Sequence, residues 1–378
     1  MSTVSFANAR PKPRIVDDLI PVILESSSHW WPRDFQRLAL VSTAWVGPIR
    51  RRLYACPELR SFQACTLFAR TISQNQHIRS LVRGVDLRPA VPPNERPALT
   101  ERDMAGLRFI LNLDGIESLT IGGELAVQAE RFIQMMSNTR SLISLHVDGS
   151  YIQDQDDRYA CTQPASLEWN ESIAYRFTKL RTLRLTNLQL DVAEPSIPYA
   201  LRINTLFLND VTVPFGSIQN LCHESWQAVR NVIITTKSTE SSDEFVRDLL
   251  ECCENLESVR YEACCAGAHG DIFEEDLPLT SLRKLSLFDI DVHPQTLAVI
   301  GRTCTKLERL SILGRSVRLT SQDWNTFISS GALPALKVLK TAAGSYQPAS
   351  GFSRWSGTSQ HQLVASCAAR KIDLQSGA

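Results

Sequence analysis

The sequence predicts an α/β fold: an N-terminal module of three helices, then a right-handed α/β solenoid whose strands make one parallel, concave sheet. Three observations carry the prediction. A pattern of the form LxxLxL, with aliphatic substitutions, recurs from residue 82 to residue 341. Segments with apolar residues three and four apart separate its copies, as helices packed on one side of a sheet require. Residues 15–54 show helical spacing but none of the six-residue pattern.

Residues 1–14, "MSTVSFANARPKPR", are expected to be flexible, and with no apolar stretch before a small-residue cleavage site they predict no secretory leader. The helical module follows over residues 15–55. Val16, Leu19, Ile20, Ile23 and Leu24 fall on one stripe of a first helix, with Asp17 as N-cap and Pro21 in the first turn, where amides have no intrahelical partner. A second helix is predicted from Pro32, placing Phe35, Leu38, Val41 and Trp45 on its inner side. Gly47 is predicted to end it, and Pro48 to open a third helix that turns Ile49 and Leu53 inward.

The solenoid is read over residues 56–345. Copies of the pattern begin at Val82, Ile116, Leu142, Leu180, Ile203, Val229, Leu256, Leu282, Leu307 and Leu336, at spacings of 34, 26, 38, 23, 26, 27, 26, 25 and 29. Most fall in the roughly 20–29 residue range of leucine-rich repeats, each one strand plus a returning helix or turn. No unit of that size can bury its own apolar face, so neighbours stack and share a core. "AERFIQMMSNTRSL", "DEFVRDLLECCENL" and "QTLAVIGRTCTKL" are predicted to be helices of the convex layer. The insertion after Leu87, "RPAVPPNERPALTERD", is expected to be an edge loop because its prolines block helix and central strand. The insertion after Asp148 is polar and acidic at first, then helical in character; a loop of such length is either functional or mobile. Residues 346–378 are read as a closing segment.

The run "DDLIPVIL", a short loop, "LALVSTAW" and a basic closing helix resemble the F-box, the small helical module that docks onto the Skp-type adaptor of cullin-RING ubiquitin ligases. Followed by the repeats and ending in "HQLVASCAARKIDLQSG", the chain is similar to divergent F-box/leucine-rich-repeat proteins of mushroom-forming fungi. By this resemblance Leu19, Ile23 and Leu24 match the first-helix apolar positions, and Leu40, Val41, Ser42 and Trp45 the second-helix "LVSxxW" signature. Some of these hold the module together and others face the adaptor. Where the family opens with a Leu-Pro pair, this chain has Ile15 and Val16. The implied function is that of a substrate-recognition subunit of an SCF-type ubiquitin ligase, itself not an enzyme, in the cytoplasm or nucleus. Its partners would be a Skp-type adaptor, through it a cullin, and a protein substrate. The alternative is a leucine-rich-repeat scaffold or inhibitor whose N-terminal helices only cap the solenoid.

Strand alternation turns the x positions of LxxLxL onto the concave face. Arg184, Phe207, Ile233, Arg260, Glu262, Lys284, Phe288 and Arg309 form the candidate partner-binding set there, flanked by His146, Asp148, Asn209 and Lys340. Aromatic and apolar side chains beside Arg, where solvent is expected, are typical of binding hot spots. With 40 basic and 40 acidic residues, no net charge draws the chain to nucleic acid or an anionic membrane, and no apolar run reaches a membrane span. Arg50, Arg51 and Arg52 read as a solvated helix face, and Trp30 and Trp31 as a packing lid. Cys252, Cys253, Cys264, Cys265 and His269 lack the Cys-x2-Cys spacing of zinc sites and read as buried small hydrophobes; the ten cysteines are expected to be thiols. There is no Gly-rich phosphate loop, G-x-S-x-G or H-E-x-x-H, so no catalytic site, metal or cofactor is expected.

Overall fold

A computed structural model of the chain describes residues 17–26, 30–90, 99–150, 164–196, 201–237, 242–264, 272–273, 277, 279–347 and 350–377. Ile15 and Val16 lie outside them. Three helices come first: α1 (Leu19–Glu25), α2 (Pro32–Ala39) and α3 (Thr43–Ala55). The cap of α1 is Asp18, not Asp17, and its side chain makes no capping bond, because its backbone is already helical (φ −65°, ψ −21°) and capping needs an extended residue.

The break between α2 and α3 falls at residues 40–42, which corrects the expected break at Gly47. Leu40 and Val41 amides bond to the carbonyls of Arg37 and Leu38 at 3.1 and 3.0 Å, closing α2 in a tight turn. Ser42 is then fully extended (φ −162°, ψ 162°) and starts α3. Pro48 lies inside α3, where it forfeits the bond to the Ala44 carbonyl and costs about 3 kcal/mol. Trp45 and Ile49, one turn apart on the same side, are both buried and return about 1.5–3 kcal/mol apiece, so burial outweighs the proline.

Ile20, Leu24, Phe35, Trp45 and Ile49 make a closed cluster of their own, with Ile23, Trp30, Leu38 and Leu53 packed against it. It is separate from the core of the sheet. Tyr54, at the end of α3, packs on that second core, its ring stacked 6.5 Å from Phe68.

Everything after α3 is built on parallel strands: β1 (Glu58–Leu59), β2 (Gly84–Leu87), β3 (Ser118–Gly122), β4 (Ser144–Asp148), β5 (Ser166–Trp169), β6 (Thr182–Val192), β7 (Thr205–Thr212), β8 (Asn231–Thr236), β9 (Ser258–Ala263), β10 (Lys284–Phe288), β11 (Arg309–Leu313) and β12 (Val338–Ala342), with β15 (Asp373–Gly377) last. A small antiparallel hairpin, β13 (Gly344–Gln347) with β14 (Gly351–Arg354), stands beside them. Among the described residues the large sheet has thirteen strands in sequence order from β1 to β12, then β15, except that β5 pairs only with the far end of β6. The architecture is therefore mixed α/β with one large parallel sheet.

Each LxxLxL copy begins its strand at its third position, for example Thr182 in the copy from Leu180 and Lys284 in the copy from Leu282. The leucine positions alternate inward and are buried, while the x positions between them, apart from the buried Gly84, are exposed or half-exposed. Helices α4 (Phe62–Gln74), α5 (Gln76–Arg79), α6 (Glu101–Leu111), α7 (Ala129–Gln134), α8 (Glu171–Ala174), α9 (Ser242–Cys252), α10 (Pro294–Thr303), α11 (Ser321–Ser329) and α12 (Gly357–Ala369) connect the strands, helped by 3-10 turns such as Gly123–Gln128. Their buried residues, including Leu107, Phe132, Leu249, Leu297 and Trp324, join the strand leucines in one cluster.

The two insertions resolve differently from expectation. Residues 91–98 lie outside the described residues, but the end of the first insertion is the capped start of α6 rather than loop: the Thr100 hydroxyl accepts from the Asp103 amide at 3.2 Å, and the Asp103 carboxylate accepts from the Thr100 amide at 3.3 Å. Residues 151–163 also lie outside. The rest of the second insertion supplies β5, which lengthens the sheet beside the eleven-residue β6, and then α8, in keeping with the helical character of its later part. Trp169 fixes β5 by full burial, stacking on Phe177 and donating its indole N–H to the Leu221 carbonyl at 3.2 Å.

Contacts between units follow one rule: a polar side chain of one unit completes the backbone of the next. Asn187 within β6, Asp210 within β7 and Asp289 just after β10 adopt left-handed backbone (φ 49°, 53° and 54°), which Asn and Asp tolerate better than most residues. The Asp289 carboxylate accepts the Arg315 amide at 2.6 Å. Arg370 donates to the Ile328, Ala332 and Leu333 carbonyls at 2.9, 2.8 and 2.9 Å, satisfying the orphan end of α11. The described cysteines form no disulfide, and burial pushes the thiols of Cys65 and Cys253 up to about 12 and of Cys304 up to about 11. Cys264 corrects the expectation of burial: β9 ends with Ala263 inward, so alternation turns Cys264 out to solvent.

Because the small helical core and the sheet core are separate, Trp45→Ala should cost the N-terminal helices about 3–5 kcal/mol while the sheet stays folded. Hydrogen exchange should show protection lost across residues 19–53 and retained in β3 to β12.

Candidate functional site

Two surfaces stand out, at opposite ends of the reasoning from sequence. The first lies on the N-terminal helices. Of the seven residues singled out there, Leu24 and Trp45 are buried in the small core and Ile23 packs against it, so their role is structural. Leu19, Leu40, Val41 and Ser42 are exposed, Leu40 at 86% and Val41 at 64%. This corrects the expected inward position of Val41: the early end of α2 places it in the turn, where no helical face carries it inward. Val22, 59% exposed on the same side of α1 as Leu19, and Trp31, 73% exposed, add to the apolar surface. The pair of tryptophans thus divides. Trp30 packs 6.4 Å from Phe35, while Trp31 is not a lid. A sequence signal for the break was present in Ser42-Thr43 ahead of Trp45, a common way for a helix to start.

The second surface is the open face of the sheet, where the register assembles all eight candidate residues. Arg184, Phe207, Ile233 and Arg260 occupy one row on adjacent strands β6 to β9. Glu262 and Phe288 are register partners in the next row toward the strand ends, and Lys284 and Arg309 are partners in the row before. The Arg184 guanidinium lies over the Phe207 ring at 4.3 Å, and Arg260 over Phe288 at 4.9 Å, which shields both rings from water on one side. Arg260 also meets Glu262 at 2.9 Å. Lys284 and Arg309 form no ion pair among the described residues, although both are exposed.

Acidic groups that could neutralise these cations are engaged elsewhere. From β8 to β12 the residue just before each strand carries alternating charge across neighbouring units: Arg230 meets Glu257 at 3.7 Å, Arg283 meets Glu308 at 3.5 Å, and Lys337 meets Glu308 at 2.9 Å. The hydrogen bond from Lys337 holds the Glu308 carboxyl below its ordinary value. Both rim carboxylates are thereby paired with rim cations, and the adjacent face stays cationic.

At the start of the sheet the open face is self-satisfied instead. Arg88 bridges Asp86 at 2.8 Å and Asp148 at 2.6 Å, and His146 lies 3.2 Å from the Thr186 hydroxyl. Burial, with Arg88 and Arg184 adding to it and Asp148 opposing, pushes the His146 imidazole down to about 4. For Asp148 burial is the largest single effect and raises the carboxyl, but bonds from Ser150 and the charges of Arg88 and His146 outweigh it and hold the group low. Burial raises Asp86 despite its bond to Arg88. This network was visible in sequence only as His146 and Asp148; Asp86 sits in β2 and Arg88 just past its end, and only the fold supplies their partners.

Cys265 and His269 lie outside the described residues, and among the described residues no group of three His, Cys, Asp or Glu is placed to hold a metal ion. No helix among the described residues is long and apolar enough to cross a membrane. Arg50, Arg51 and Arg52 are exposed on α3. Comparison with protein-family models and with curated proteins yields no significant match.

The buried network gives a pH dependence with a definite sign. His146 takes up a proton more readily unfolded than folded, so its contribution is complete above about pH 6.5 and is lost as pH falls toward about 4. Asp148 acts in the same direction at lower pH, while the raised Asp86 acts against it. Thermal midpoints measured between pH 7 and 4 should fall, and His146→Gln should flatten that limb.

Proposed function

We propose that this chain is the substrate-recognition subunit of an SCF-type cullin-RING ubiquitin ligase. In this reading residues 15–55 are an F-box, residues 56–345 a right-handed leucine-rich-repeat solenoid with a concave sheet, and residues 346–378 its closing unit. The single observation that carries the reading is the apolar surface of the N-terminal helices. Leu19, Val22, Trp31, Leu40 and Val41 are each more than half exposed, while the helices close their own core behind them. Large apolar side chains presented this way are covered by a partner in a working complex. A Skp-type adaptor, and through it a cullin, is that partner.

The alternative, a scaffold or inhibitor whose helices only cap the repeats, would turn these side chains onto the first strand. Instead Trp45 packs in the small core, and it is Tyr54 that packs on the core of the sheet. The cationic and aromatic band on β6 to β11 is then the place where a protein substrate is held. The chain contributes no reacting group in this reading. It acts by proximity: a substrate held beside the transferring subunits reacts as if in one molecule, an effect that reaches several kcal/mol of barrier. Such a complex works in the cytoplasm or nucleus.

The full chain should co-purify with a Skp-type adaptor. Leu40→Asp with Val41→Asp should abolish the association and leave stability within about 0.5 kcal/mol, since both side chains are exposed. A folded wild-type chain that fails to bind any such adaptor overturns the receptor reading.

A further inference from the structure

We infer that the open face of β6 to β12 holds an extended acidic peptide segment carrying apolar or aromatic anchors. The inference rests on the reading of this face as the substrate-holding surface and adds the chemistry of what it holds.

Charge is the first argument. The whole chain balances 40 basic against 40 acidic residues, yet in the three register rows of β6 to β12 that hold the candidate residues Arg184, Arg260, Lys284, Arg309 and Lys340 stand against Glu262 alone, and Asp210, further along β7, is already paired with Lys237 at 3.1 Å. Glu262 is already bonded to Arg260, and the nearby Glu257 and Glu308 are held in the rim ladder. Lys284 and Arg309 are direct register partners on β10 and β11, a like-charged cross-strand pair that opposes folding. A partner carboxylate placed between them turns that repulsion into two charge-assisted bonds.

Apolar groups are the second argument. Phe207, Ile233 and Phe288 are half-buried among these cations, and Arg184 and Arg260 already lie on the two rings. The exposed ring edges and Ile233 offer a shallow apolar seat between cations, which matches acidic residues interspersed with Leu or Phe. Stacking of nucleic-acid bases is disfavoured because the guanidiniums occupy the ring faces and Glu262 repels phosphate.

Length follows from spacing. Six strand-to-strand steps separate β6 from β12, about 29 Å at the usual inter-strand distance. An extended segment of about nine residues spans that distance.

The test uses the full-length protein and a fluorescein-labelled acidic peptide, EFEDLEDFE, in an anisotropy titration, with the glycine analogue EGEDGEDGE and a short DNA duplex as competitors of known class. Saturable binding of EFEDLEDFE is expected, with weaker binding of both others. Lys284→Glu should weaken peptide binding by about tenfold or more. The same change replaces a repulsive pair by an attractive one, so the thermal midpoint should hold or rise, which separates lost binding from lost folding. The inference is overturned if the peptide does not bind saturably, if Lys284→Glu binds it equally well, or if the glycine analogue or the duplex binds as tightly. Adaptor co-purification on the same preparation keeps the two readings apart. Adaptor binding without peptide binding overturns this inference alone, and peptide binding without adaptor binding overturns only the receptor reading.

Discussion

Every strand of the sheet presents apolar side chains, most often leucine, to one side and unpaired amides and carbonyls to both edges, and only the adjacent strands can satisfy either need. Leu183 and Leu185 are buried because β4 and β7 flank β6 and the helices close over them, not because any single unit encloses them. Parallel pairing in register then repeats the same demand at the next edge. The chain ends this propagation at one side with a strand of two residues, β1, and at the other with β15. A short edge strand leaves little backbone for a foreign strand to pair with.

The same demand decides where chemistry can reside. Alternation gives one side of each strand to the core, so recognition is confined to the x positions of the other side and to the rims. From β8 to β12 the position before each strand lines up charges of neighbouring units, and Arg230, Glu257, Arg283, Glu308 and Lys337 alternate there in sign. Such exposed pairs contribute little stability individually, but they use up acidic groups that would otherwise neutralise Lys284 and Arg309 one residue away. An electrostatically balanced chain thus carries an unbalanced surface.

The N-terminal helices obey a different constraint. They are too few to enclose all their apolar residues, and the core they do close, around Trp45, leaves Leu19, Val22, Trp31, Leu40 and Val41 outside. Pro48 sits inside α3 because the burial of Trp45 and Ile49 exceeds the cost of one missing hydrogen bond. A break at residues 40–42 instead of at Gly47 is what lifts Leu40 and Val41 into solvent.

Features that depend on period and burial are legible along the chain alone. The LxxLxL register located ten strands to the residue, the alternation assigned Arg184, Phe207, Arg260 and Lys284 to one face, and the spacing of α7, α9 and α10 marked them as helices. These follow from local geometry, two residues per strand repeat and 3.6 per helix turn, which no distant contact alters. Folding adds which groups meet across units: Arg184 over Phe207, Arg88 between Asp86 and Asp148, β5 beside the far end of β6, and the exposure of Leu40 and Val41. Those outcomes are sums of burial, pairing and backbone costs over residues far apart in the chain, and no single stretch of sequence contains all the terms.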